Sequence, residues 1–260
     1  KDDISANDAF TLPPIITKIE DATSGSPPEL YGIYNQLKQE YISARYMLFD
    51  AVNESQQKVH FSDKRVVLYN MLDYREYRLW IEKVKMVFLS VYAIFDKIAY
   101  LINDYWKLNL PAKHINFKGC WYRNNKLSPV FKQSTNLPLR GLYWISKEFV
   151  GEKEKNNPLQ PDAWHIAQIR NHIAHKYLKV FDNNLVDAEK IRDSQGHEWE
   201  YAITDAELIE QTLKLLKLAR SALIYVSLAI QNEEEIKRNN IGDEFLATFN
   251  ISQVDDTYRL

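Results

Sequence analysis

The residues best equipped for chemistry lie in one stretch, Gln168-Ile169-Arg170-Asn171-His172-Ile173-Ala174-His175-Lys176-Tyr177. Arg170 and His175 stand five residues apart, with Asn171 directly after the arginine and Tyr177 two past the histidine. A guanidinium is always charged and grips phosphate oxygens, while an imidazole titrates near neutrality and moves protons. That pair is what cleavage of a phosphodiester without a metal requires. On an ideal helix, residues five apart are separated by about 140°, so the two do not share a face. The long arginine stem can still swing toward the imidazole. Asn171 and His175, at i and i+4, do share a face.

Neighbouring residues offer supporting roles. Asp96 interrupts the apolar run Val91-Tyr92-Ala93-Ile94-Phe95-Asp96-Lys97-Ile98, and a carboxylate there is costly unless paired. Its partner is Arg170, His175 or some other cation. His172 either assists substrate binding or faces solvent. His165, His172 and His175 with Asp162 carry donor atoms suited to zinc. His165 and His172, however, would sit about 10 Å apart along a helix axis, so no metal is expected. The single cysteine, Cys120, excludes an internal disulfide framework and reads as a semi-buried residue of a protein kept in a reducing cytosol. Neither a phosphate-binding glycine loop nor a dinucleotide fingerprint is present, so no cofactor is expected.

Net charge is −2 over 260 residues, yet the charge is unevenly distributed. From Tyr105 to Lys147 there is no Asp or Glu, and eight Lys and Arg fall there, among them Lys118, Arg123, Lys126, Lys132 and Arg140. Trp106, Phe117, Trp121, Tyr122, Phe131, Tyr143 and Trp144 interleave with them. Cations mixed with aromatics neutralise phosphates and stack bases. Lys118, Trp121, Arg123, Lys126, Lys132, Arg140 and Lys176 are therefore candidate RNA contacts. The alternative is that the aromatics pack inward and the cations solvate a loop.

The elements that must hold these residues are helical. The chain has only 7 Gly and 9 Pro and is 45% hydrophobic, a balance favouring helices over a turn-rich β fold. Residues 1–28, with Pro13-Pro14 and Pro27-Pro28, read as a leader or linker without a core of its own. A helix is expected from Glu29 to Glu54 and a long central one from Tyr69 to Lys107. The segment from Asn109 to Leu137 reads as a long loop with short turns, followed by a helix over Leu139–Val150. The motif helix should start after an Asp162 N-cap and reach Lys179. A small hairpin is expected between Phe181 and Ile203. The capping box Thr204-Asp205-Ala206-Glu207 should then open a long helix to Arg238. The main domain spans 29–240, with a C-terminal tail over 241–260. The longest apolar run, Met86 to Phe95, is too short to span a bilayer, so no membrane is expected.

The pattern R-x-x-x-x-H-x-Y at 170–177, with its asparagine after the arginine, resembles the active-site motif of HEPN ribonucleases (higher eukaryotes and prokaryotes nucleotide-binding). The helix order is similar to the HEPN fold as well: an all-α bundle with two long helices flanking a short motif helix, over roughly Glu29 to Arg238. At the level of residues the likeness is confined to the motif. The resemblance implies a homodimer in which two copies of the motif helix meet. It also implies a metal-independent endoribonuclease that leaves 2′,3′-cyclic phosphate and 5′-OH ends on single-stranded RNA or tRNA loops. Arg170 would hold the phosphate, His175 would move the proton, and Asn171 would orient the phosphate or the imidazole. Asp96, His172 and Tyr177 would support them. A role as a toxin or antiviral effector, restrained by an antitoxin or a sensor domain, is inherited from the same family. In one branch the tyrosine at the Tyr177 position is modified with adenylate; simple packing at the helix end is the plainer role. The rival reading is a catalytically silent HEPN module that binds RNA, a nucleotide or a partner protein. A plain helical interaction domain of a larger protein is a third.

Overall fold

Apolar residues recur at three- and four-residue spacing through three long segments, and each forms a helix that buries that stripe. Helix α1 (Glu29–Ser55) buries Leu30, Tyr34, Leu37, Tyr41, Ala44 and Leu48. Helix α2 (Leu79–Tyr105) buries a broader face, including Ile81, Val84, Phe88, Val91, Phe95, Ile98 and Ile102. The computed structural model describes residues 10–18, 29–55, 59–69, 74–149, 161–186, 197–240 and 246–248. Most of the expected leader, the polar loop at 151–160, the turn at 193–196 and most of the tail lie outside the described residues.

In chain order, the first strand β1 (Ile16–Lys18) precedes α1 and α2. A short hairpin, β2 (Tyr122–Arg123) and β3 (Lys126–Leu127), leads to α3 (Pro129–Lys132) and α4 (Leu137–Lys147). The motif helix α5 (Pro161–His175) is followed by strands β4 (Tyr177–Phe181) and β5 (Glu200–Thr204). The longest helix, α6 (Asp205–Asn240), and strand β6 (Leu246–Thr248), antiparallel to β1, complete the described chain. Helix α2 is central: it packs along α1, α5 and α6, while α4 packs on α6. The result is the all-α, HEPN-like layout expected, with two long helices flanking the shorter motif helix. By length and composition α2 alone among the described helices could cross a bilayer, but in this fold it is the core.

Side chains set several helix ends. The capping box forms as expected: Glu207 N–H donates to Thr204 Oγ1 at 3.1 Å, and Thr204 N–H donates to Glu207 Oε2 at 3.0 Å. Asn136 caps α4 by accepting from Leu139 N–H at 3.0 Å. Its amide also donates to Ala229 O at 2.8 Å, which ties α4 to α6. At Gly141 a Cβ would come within 3.0 Å of the Tyr225 ring, so the glycine permits the close α4–α6 approach.

Three expectations are corrected. Helix α2 begins at Leu79, ten residues after Tyr69. Asp63 accepts from Leu79 N–H and stops the helix there, while Glu76 N–H donates to Val180 O at 2.8 Å, which keeps the preceding residues extended. The motif helix ends at His175 instead of Lys179, because Tyr-Leu-Lys-Val-Phe leaves as strand β4. Its aromatic and β-branched residues suit a strand. Finally, β4 and β5 form no hairpin: they pair in parallel, from Tyr177↔Glu200 to Phe181↔Thr204. Residues 182–199 are long enough for the crossover that parallel pairing demands.

Residues 10–18 lie against the bundle, with Ile15 and Ile16 buried. Glu234, 3% exposed, anchors them by accepting from Ile16 N–H at 2.6 Å. It also accepts from Lys237 Nζ at 2.6 Å and from the Tyr105 hydroxyl. Glu234→Gln turns an acceptor into a donor against these groups. It should lower stability by about 1–3 kcal/mol in urea unfolding, while the exposed Glu235→Gln should change it by less than about 0.5 kcal/mol.

Candidate functional site

Burial along α5 decides which way the motif points. Ala163, Ile166, Ile169 and His172 recur every three residues, and all four are buried. Packing that side of the helix on α2 and the β4–β5 pair turns Asn171, Ala174 and His175 to solvent and leaves Arg170 half-buried at the margin. The Arg170 guanidinium lies 5.6 Å from the centroid of the Tyr92 ring on α2, a cation–π contact. Its Nη1 donates to Asn171 Oδ1 at 3.2 Å and sits 3.4 Å from His175 Nε2. A guanidinium can only donate, so this contact is satisfied by the neutral imidazole with its proton on Nδ1. Asn171, Arg170 and His175 thus converge on one open face.

Asp96 lies deeper. Burial pushes its carboxyl above the usual range, against the opposing pull of a hydrogen bond from Phe117 N–H at 3.1 Å and of the Arg170 and Lys118 charges. It therefore holds the Phe117 turn and contributes to the field at Arg170. No signal in the sequence marks Tyr92 as the seat for Arg170; only the α2–α5 packing creates it.

The other residues singled out in sequence are placed differently. His172 does not face solvent: it is 3% exposed, donates from Nδ1 to Gln168 O at 2.8 Å and packs on the Tyr201 ring. Tyr177 packs just past the end of the motif helix, where it opens β4. Its hydroxyl accepts from Arg75 Nη1 at 2.9 Å and meets the Tyr77 hydroxyl at 3.0 Å, while its ring stacks on Trp199. His165 bonds the Tyr201 hydroxyl through Nδ1 at 2.7 Å. Among the described residues, no group of three His, Cys, Asp or Glu is placed to hold a metal ion.

Trp121 is also corrected. It is fully buried, with its indole N–H donating to Phe117 O at 2.8 Å, so it supports the core and has no face for a base. Phe117 and Phe131 are buried with it, around Phe95 and Phe149. Trp144, by contrast, is 66% exposed. Arg123, Lys126, Lys132, Arg140 and Lys176 are exposed, and Lys118 is half-buried. Arg140 donates to Ser134 O, and Lys176 donates to Glu198 O at 3.1 Å. Arg123 and Lys126 face each other across β2–β3, whose turn residues Asn124 and Asn125 have φ of 51° and 61°. Two left-handed positions in a two-residue turn favour asparagine, and Asn124-Asn125 was the available signal for this hairpin.

A family model described as LA2681-like HEPN matches residues 22–233. The chain belongs to that family. Comparison with curated proteins and with solved structures gives no match. Membership ties this HEPN chain to nucleotide- and RNA-related function, and ribonuclease activity is frequent among HEPN domains. HEPN domains also bind RNA and often dimerise.

In this HEPN domain the two tryptophans separate core from surface. Trp121→Ala should cost about 3–5 kcal/mol in denaturant unfolding, and Trp144→Ala should stay within about 0.5 kcal/mol of the unaltered protein. The reverse order would remove the structural role assigned to Trp121.

Proposed function

We propose that this chain is a metal-independent HEPN endoribonuclease. Its substrate is single-stranded RNA or a tRNA loop, and it acts as a homodimer in a toxin or antiviral role. The observation that carries this reading is the solvent-open contact between the Arg170 guanidinium and the His175 imidazole, 3.4 Å apart on the outer face of α5. His175 takes the proton from a ribose 2′-OH through the basic nitrogen that now meets Arg170. The 2′ oxygen attacks phosphorus, and the bond to the 5′ oxygen breaks. Arg170 moves onto the phosphate and offsets the negative charge that builds on its oxygens. The departing 5′ oxygen takes a proton from His175 of the second copy of the chain, which enters the step as the imidazolium and leaves it neutral, so the products are a 2′,3′-cyclic phosphate and a 5′-OH. Asn171 holds Arg170 until substrate arrives. Asp96 adds negative charge behind the guanidinium.

The exposed cations Arg123, Lys126, Lys132, Arg140 and Lys176 support a path for the RNA backbone, with Lys118 at its edge. A reducing cytosol suits the buried, unbridged Cys120, whose thiol burial pushes well above its ordinary range. An antitoxin or sensor domain would restrain such an activity.

Cleavage of total RNA in EDTA tests the proposal. The unaltered protein should cut, and Arg170→Ala and His175→Ala should each reduce the rate by about 10²–10⁴-fold. Mass spectrometry of the fragments should find cyclic phosphate ends. Intact RNA from a folded dimer would instead establish a silent HEPN module that binds without cutting.

A further inference from the structure

An arginine that grips a phosphate has to be held in place while its hydrogen-bond donors stay available. Arg170 has a long stem, and each position its charge can wander to lowers the chance of a productive encounter. In this fold Nη1 meets both neighbouring acceptors, Asn171 Oδ1 at 3.2 Å and His175 Nε2 at 3.4 Å. Nε and Nη2 make no hydrogen bond among the described residues. The guanidinium lies instead over the Tyr92 ring, 5.6 Å from its centroid. A cation–π contact engages the charge without occupying an N–H. The Nε–Nη2 edge therefore stays open to a two-point grip on phosphate oxygens.

The ring is itself braced. Tyr92 meets Phe149 edge-on, with centroids 5.4 Å apart. Phe149 is buried and packs on Phe95 at 4.5 Å and Phe117 at 5.6 Å. A ring backed by close-packed aromatics has little room to yield, so it offers a fixed surface. Asp96 stands one turn further along α2, at i+4, and shares that side of the helix. It is fixed by the hydrogen bond from Phe117 N–H at 3.1 Å, and its charge acts on Arg170. The seat thus combines an aromatic face with a carboxylate behind it.

We propose that Tyr92 is a positioning residue for RNA cleavage, whose ring holds the Arg170 guanidinium beside His175 with the Nε–Nη2 edge presented to the scissile phosphate. The proposal rests on the ribonuclease reading above. The ring touches neither substrate nor reacting atoms and acts through Arg170. As substrate arrives, the guanidinium pivots over the ring. Nη1 then leaves His175 Nε2 to the 2′-OH proton, and the open edge takes the phosphate oxygens. The aromatic face does this work and the hydroxyl does not, so phenylalanine serves as well as tyrosine.

Two measurements on the full chain test it. The first needs no RNA: side-chain NMR relaxation of Arg170 Nε, assigned by the loss of its signal in Arg170→Lys. Nε should be ordered in the unaltered protein and in Tyr92→Phe, and mobile in Tyr92→Leu. The second is steady-state cleavage of an oligoribonucleotide in EDTA. Tyr92→Leu should lower kcat about tenfold and leave KM within about twofold, while Tyr92→Phe keeps the unaltered kcat. Tyr100→Leu, at a 45% exposed position further along α2, should change neither constant. If Tyr92→Leu fails to fold, Tyr92→Met, which keeps bulk without an aromatic face, carries the comparison. Equal Nε mobility with and without the ring overturns the proposal, as does cleavage by Tyr92→Leu at the unaltered rate. A fall in kcat shared by Tyr92→Phe overturns it too, because the hydroxyl would then be responsible. Uncut RNA from the unaltered chain defeats the ribonuclease reading and the catalytic role of Tyr92 with it, and the relaxation comparison then decides the seat alone.

Discussion

Everything at the motif depends on the docking of one broad side of α5 onto α2 and the β4–β5 pair. Ala163, Ile166, Ile169 and His172 are buried there, and burial of a large apolar side chain contributes about 1.5–3 kcal/mol. That contact fixes the rotation of the helix about its axis. Rotation by a single residue, about 100°, would carry His175 toward the core and the apolar stripe toward water. The same contact brings Tyr92 under the Arg170 guanidinium, which gives a long, flexible cation one preferred seat. Preorganisation of this kind lowers the entropic cost of placing a guanidinium against a phosphate.

The two ends of the motif are held by different physics. Upstream, packing does the work. Downstream, the helix stops at His175 and the chain turns directly into β4, where Tyr177 is pinned by Arg75, Tyr77 and Trp199. Arg75 and Tyr77 belong to the extended segment before α2, so hydrogen bonds to a distant part of the chain decide where the motif helix ends. His175 therefore sits at a junction of fixed geometry and not in the middle of a regular helix.

The basic-aromatic stretch divides its labour by chemistry. Phe117, Trp121 and Phe131 fill the space beside Phe95, whereas Arg123, Lys126 and Lys132 cannot be desolvated cheaply and remain outside. Interleaving in sequence follows from short turns that alternate inward and outward positions. It is no evidence that the aromatic rings themselves meet a ligand. Lys147, stacked over Tyr143 and Tyr122, shows the intermediate case of a cation retained against aromatic faces.

The sequence by itself determined the helical class, the three long amphipathic segments, the Thr204–Glu207 cap and the Arg170–His175 motif. Each of these is local: a period, a cap or a spacing fits within a few turns of chain. Tertiary structure alone decided the start of α2 at Leu79, the parallel pairing of Tyr177–Phe181 with Glu200–Thr204, and the burial of His172 and Trp121. It also decided the seat of Arg170 on Tyr92. These depend on partners far away in the chain. Strand pairing and the choice between core and surface are settled by what lies opposite, and a single stretch of sequence carries no record of that.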